Sequence, residues 1–189
     1  LLGDAVDEPG PDGAGFFGQM LNFTFREDPL ESFLRRTPFE GLRLLCASPG
    51  LDEMESKLES RYKMMKLREA LERMPREVAV YIDTPPALNF YSRSALIASD
   101  GVLAPFDCDD FSRRALFTLL NTVREIQADH NRGLVLDGIV VNQYQSRARL
   151  PRQLVDELRA DGHAVLDTFI SSSVKIRESH TLSCPMINL

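Results

Sequence analysis

No stretch of this sequence approaches the roughly 20 consecutive apolar residues that a helix needs to cross a bilayer, so a membrane-spanning helix is not expected. Cysteine is scarce. Cys46, Cys108 and Cys184 stand far apart, which argues against a disulfide framework and against a zinc site. The three histidines, His130, His163 and His180, are equally dispersed and have no partner at metal-like or triad-like spacing. Ser171-Ser172-Ser173 lacks the flanking glycines of a nucleophile elbow, so nucleophilic catalysis has no support. A G-x-x-x-x-G-K-[ST] loop occurs nowhere, and the first lysine is Lys57, so these residues hold no Walker-type cradle for β and γ phosphates. Nothing resembles a secretory signal, and the expected compartment is the cytoplasm. A net charge of -6 disfavours nucleic-acid binding over the whole surface but leaves room for a local basic patch.

What is present is the composition of a globular domain. With 189 residues, 43% of them hydrophobic and 26% charged, the chain can bury one sizeable core. Residues 1–16 are rich in Gly, Pro and Asp and lack a period, which reads as a flexible arm, leaving 17–189 as a single domain. A short helix is expected within 19–34, a buried strand over 41–48 and an amphipathic helix over 51–74 ended by Pro75. Then the pattern alternates: strand 77–83, helix 88–98, strand 101–106, helix 110–129, strand 134–142, helix 151–160 and strand 164–170. Strands separated by helices imply right-handed crossovers, hence an α/β fold with a doubly wound, mostly parallel sheet and helices on both faces. The apolar runs 78–82 and 139–141 fit strands buried on both sides.

The run Tyr81-Ile82-Asp83-Thr84-Pro85-Pro86 is the most informative. Two prolines forbid both continued pairing and immediate helix formation, so the strand delivers Asp83 to the rim of the sheet, where α/β folds hold ligands. A carboxylate there suits a magnesium-bound water beside a phosphate, because Mg²⁺ keeps several waters and takes few protein carboxylates. The alternative is a structural aspartate capping helix 88–98. Gly13-Ala14-Gly15-Phe16-Phe17-Gly18 satisfies G-x-G-x-x-G, but it follows Asp-Glu-Pro-Gly-Pro-Asp, which is no core strand, and the dinucleotide reading falls with that context. Arg147, Arg149 and Arg152 lie within six residues with no acid between them, at a strand's carboxyl end. They suit the phosphates of nucleic acid, or else form an ordinary solvated loop.

Taken in order, Tyr81–Pro86, Ser94–Asp100, Gly101–Pro105, Gly138–Asn142, Ser146–Leu150, and Val174–Glu178 with Cys184–Ile187 resemble the ParA-type partition ATPases, which form the deviant Walker class together with MinD. The resemblance spans about Gly41 to Ile187. It implies an ATP-dependent homodimer, cytoplasmic and nucleoid-associated with no membrane anchor, that binds DNA nonspecifically and positions a plasmid, chromosome or protein cargo. A ParB-like partner would stimulate hydrolysis, with ATP and Mg²⁺ as cofactors. Carried over by position, Asp83 would be the Walker B aspartate holding magnesium through water, and Pro85 and Pro86 would begin the switch loop. Asn142 and Gln143 would lie near adenine. Arg147 and Lys175 fall where the family places DNA-contacting basic residues, with Arg149 and Arg152 beside Arg147. The family's P-loop strand, loop and helix would precede Leu1, making this chain the carboxyl-terminal part and inactive alone. Ile170-Ser171 stands where the family usually has Ile-Pro bordering the base pocket. A second reading is a nucleotide-free adaptor that keeps the fold and the basic surface.

Overall fold

The computed structural model describes residues 10–22 and 26–182. They fall into two compact units, residues up to 98 with those from 175 onward, and residues 99–174, where the sequence suggests one domain.

The first unit begins earlier than expected. Asp12 caps α1 (Gly13–Gln19), its carboxylate accepting from the Gly15 amide at 2.8 Å. That bond holds the Asp12 carboxyl below the usual carboxylate range. Residues 13–16, read from sequence as part of the arm, are therefore helical, and Phe16 is 1% exposed; residues 1–9 lie outside the described residues. Where a helix is expected within 19–34, the described residues beyond α1 form a 3₁₀ turn at Leu30–Phe33. The strand expected over 41–48 shrinks to β2 (Arg43–Leu44), antiparallel to β1 (Arg35–Arg36).

The long amphipathic helix is also broken. α2 (Gly50–Ser60) stops at Tyr62, whose φ of 55° is left-handed and which stands 91% exposed; a 3₁₀ turn and α3 (Lys66–Leu71) follow. Leu58 and Leu67 on either side of the break are both buried, so the bend keeps two apolar faces on one core. That core joins them to Phe16, Phe17, Met20, Leu30 and Phe90, the last on α4 (Phe90–Ala98). Phe17 meets Phe90 and Tyr91 edge-on, with ring centroids 6.1 and 5.3 Å apart, the geometry that aromatic quadrupoles favour. Tyr91 donates to the Leu51 carbonyl; burial, with Glu55 and Asp52 nearby, pushes its phenol up to about 12. The glycines of the G-x-G-x-x-G decoy lie inside α1, where they permit close packing. A Cβ on Gly15 would approach the Phe33 ring to 3.3 Å.

The second unit follows the expected alternation. β3 (Gly101–Asp107) and β4 (Val135–Asn142) pair in parallel, joined by α5 (Asp110–Asp129). Asp109 caps α5 by accepting from the Ser112 amide at 2.7 Å, which lowers its own carboxyl. Leu116, Leu120 and Leu154, Val155, Leu158 of α6 (Arg149–Ala160) close over Ala104, Phe106, Ile139 and Val141. Pro151 sits in the first turn of α6, where a missing N–H costs no intrahelical bond, so the helix starts two residues before the expected 151. Arg113 of α5 pairs with Glu157 of α6 at 2.8 Å.

The expected strand 164–170 reduces to two parallel bridges, Ile139 to Val165 and Tyr144 to Ser171, still hydrogen-bonded along the edge of β4. Gly138 allows this approach, because a Cβ there would lie 2.6 Å from Leu166 Cδ2. β3 does not bury both faces: Leu103 is 54% exposed and Pro105 is exposed, while Ala104 and Phe106 are buried. The chain ends its described part in α7 (Val174–Thr181); the Cys184–Ile187 motif lies outside the described residues. Among the described residues, no helix is long and apolar enough to cross a membrane.

Candidate functional site

The expected strand 77–83 is not a strand among the described residues. Residues 78–85 carry no regular secondary structure, and Val78, Val80, Tyr81 and Ile82 are exposed, Tyr81 by 92%. No described strand pairs with them, so their apolar side chains lack the two covering faces that the composition implies.

Asp83 closes this segment, exposed, just before Pro85-Pro86. Its carboxylate takes part in no hydrogen bond or ion pair among the described residues. The capping alternative is filled by other groups. Asn89 Oδ1 accepts from the Ser92 amide at 3.1 Å, and Glu55 accepts from the Phe90 amide at 3.3 Å, so two of the orphan donors of α4 are already satisfied. Asn89→Ala is therefore expected to cost about 1 kcal/mol of stability, read as a lowered midpoint in urea. Ser92, 3% exposed, turns its hydroxyl back onto the proline loop, donating to the Ala87 carbonyl at 2.6 Å with the Pro85 carbonyl at 3.4 Å. It ties the loop after Asp83 to the first turn of α4. The sequence reading missed Asn89 and Ser92; an Asx residue directly before the apolar Phe90-Tyr91 was the available signal.

In the second unit, Asn142 and Gln143 do come together, at the carboxyl end of β4. Beside them Asp107, the last residue of β3, accepts from Asn142 Nδ2 at 3.0 Å and from Gln143 Nε2 at 3.2 Å. Asp107 was not singled out from sequence, although a strand ending Phe106-Asp107 repeats the logic that marks Asp83. Beside it, burial together with Asp107 and Asp109 pushes the Cys108 thiol up, so this cysteine is a poor thiolate nucleophile.

Arg147, Arg149 and Arg152 are exposed around the start of α6, and their side chains engage no acid or carbonyl among the described residues. Lys175 is exposed near the start of α7 and belongs to the first unit. Among the described residues no cluster of His, Cys, Asp and Glu forms a ready metal cage. A lone carboxylate is nevertheless compatible with magnesium held through its waters.

Known proteins resemble this chain in sequence and in fold. The AAA domain family matches residues 15–136. The chromosome partitioning protein ParA of Caulobacter vibrioides is 29% identical over 166 residues, covering 85% of this chain and 62% of its own length. The chromosome-partitioning ATPase Soj of Thermus thermophilus is 33% identical over 153 residues, covering 80% of this chain and 59% of its own length. This chain thus spans about three fifths of both relatives. Among solved structures, cobyrinic acid a,c-diamide synthase from Mycobacterium smegmatis with a bound ATP analogue and magnesium superposes with a TM-score of 0.77 at 26% identity, over 91% of this chain and 68% of its own. McdA of Cyanothece reaches 0.82 at 16% identity, over 98% of this chain and 74% of its own, and speaks to the fold alone. The architecture is accordingly the α/β, parallel-stranded fold of P-loop nucleotide hydrolases. By the span of that match and the partition proteins it resembles, the chain belongs to the AAA domain family as a ParA-like member.

Proposed function

We propose that the protein is a partition ATPase of ParA type, an ATP-dependent homodimer that holds nonspecific DNA and segregates a DNA or protein cargo with a ParB-like partner. The observation that carries this reading is Asp83. An exposed carboxylate stands ahead of a double proline, unpaired among the described residues, while Asn89 and Glu55 serve the helix it would otherwise cap. A group free of structural duty at such a place suits a ligand.

In this reading bound ATP and Mg²⁺ supply the phosphoryl group and its neutralising charge. Asp83 would orient magnesium-bound water, acting by position and charge. Pro85 and Pro86 stiffen the loop that follows, and Ser92 tethers it to α4, so that loop and helix respond together. Asn142 and Gln143 would face the base. The exposed arginines Arg147, Arg149 and Arg152, with Lys175, would contact DNA phosphates, a role compatible with a net charge of -6 because phosphate contacts need only a local patch.

The reading is tested by phosphate release from the full-length protein with Mg-ATP, with and without DNA. Release that rises with DNA and a ParB-like protein is the expected result, and no release under any of these conditions rejects it. For the basic surface, Arg147→Glu is expected to weaken DNA retention at every sequence tested and to flatten the dependence of log K on log salt, by roughly one unit of slope for each DNA phosphate no longer neutralised. Filter-binding titrations at several salt concentrations measure this; identical curves for variant and wild type would return the arginines to a solvated loop.

A further inference from the structure

β3 and β4 end side by side, with Asp107 and Asn142 paired in register. The carboxyl edge of parallel strands is where open α/β sheets receive ligands. At this edge Asp107 uses both oxygens: Oδ1 accepts from Asn142 Nδ2 and Oδ2 accepts from Gln143 Nε2. Gln143 adopts φ 50°, a left-handed conformation that residues other than glycine seldom enter, so its backbone is held in an unusual state at this edge.

The consequence lies in which way the two amides face. A carboxylate offers only acceptors, so each amide must turn its NH₂ toward Asp107 and its carbonyl oxygen away. Neither Asn142 Oδ1 nor Gln143 Oε1 takes a hydrogen bond among the described residues. Two acceptor oxygens at this edge are therefore without a donor among the described residues.

Building on the nucleotide reading above, we propose that Asp107 is a positioning residue for base selection, which locks Asn142 and Gln143 so that they accept from an exocyclic amino group. Adenine offers that group at its 6-position, whereas hypoxanthine and guanine carry a keto oxygen there. A keto oxygen set against these acceptors would leave both sides without a partner, and sites built for a hydrogen bond discriminate strongly against analogues that cannot make it. Asp107 acts through the two amides and does not itself touch the base.

The test is equilibrium titration of the full-length protein with ribose-labelled fluorescent ATP and ITP, whose bases differ in the 6-amino and 6-keto groups. Wild type is expected to favour ATP by about tenfold or more. Asp107→Asn supplies an NH₂ that lets the amides reverse, and the ratio should fall to within about threefold or invert. Asp107→Glu keeps a carboxylate and should retain the adenine preference. Because Gln143 is exposed, Gln143→Ala removes little packing, and its ratio should also drop. Thermal melts accompany every variant. Equal binding of ATP and ITP by wild type overturns the proposal while leaving the nucleotide reading standing; so does an unchanged ratio in a folded Asp107→Asn or in Gln143→Ala. Failure to bind either nucleotide overturns both.

Discussion

Asp83→Ala is expected to reduce ATP hydrolysis by the full-length protein by about 100-fold or more, the scale set by removing a group that orients the metal and its water. The same variant should melt within a degree or two of wild type. Both halves of this expectation come from one feature. A carboxylate with no hydrogen bond or ion pair among the described residues leaves no donor orphaned when it is removed, so surface-type tolerance applies to stability. Phosphate release under saturating Mg-ATP and a thermal melt measure the two effects separately. Wild-type turnover by the variant would remove Asp83 from the chemistry. A large loss of stability would reveal a structural role that neither Asn89 nor Glu55 covers.

Phe16→Ala carries the largest expected effect on stability. Phe16 is 1% exposed and packs edge-on against Phe17 and Phe33, with centroids 5.0 and 5.8 Å away. Deleting such a ring leaves a cavity bounded by side chains from α1 and the 3₁₀ turn at Leu30–Phe33, and losses of about 3–5 kcal/mol are typical of this change. Urea unfolding followed by circular dichroism should show a lowered midpoint with little change in slope. Little or no shift would mean that α1 is not integral to the core of the first unit.

The comparison of sequence with structure divides along physical lines. In the second unit, helix 110–129 was recovered to the residue, and β3 and β4 to within one residue at an end. There the period of the side chains and the location of the core agree: Leu116, Leu120, Val123 and Ile126 lie on one helix face, and all are buried. In the first unit local composition misled. Glycine, proline and aspartate before Phe16 read as an arm, yet one aspartate caps a helix and the glycines admit close neighbours. The helix expected over 51–74 was interrupted at Tyr62, which no proline or glycine marks, because a tertiary bend outweighed the local periodicity. The apolar run 78–82 has strand composition but no described pairing partner, and a strand exists only through its neighbours.

The candidate site residues divide in the same uneven way. Asp83 before its prolines and the three arginines stand out in one dimension by residue type, whereas Asn142 and Gln143 are reached only through the family resemblance. Asp107, Asn89 and Ser92 act through hydrogen bonds to other groups, two of them within a few residues and one across 35 positions, and such support cannot be seen until the chain is folded. The basic cluster shows the converse. Its arginines stand out in sequence, and the fold adds that their side chains are exposed and unengaged among the described residues.

The near approach of Gly138 to Leu166 ties two distant positions into one unit of inheritance. A methyl group at 138 would overlap Leu166 Cδ2 and Cγ and press on the Ala164 carbonyl at 3.3 Å, so the Leu166 side chain would have to turn away and the carbonyl that accepts from the Ile139 amide would have to give slightly. Drift at either site is thereby coupled. A side chain at 138 is accommodated most easily alongside a smaller or reoriented residue at 166, and a large residue at 166 favours glycine opposite it.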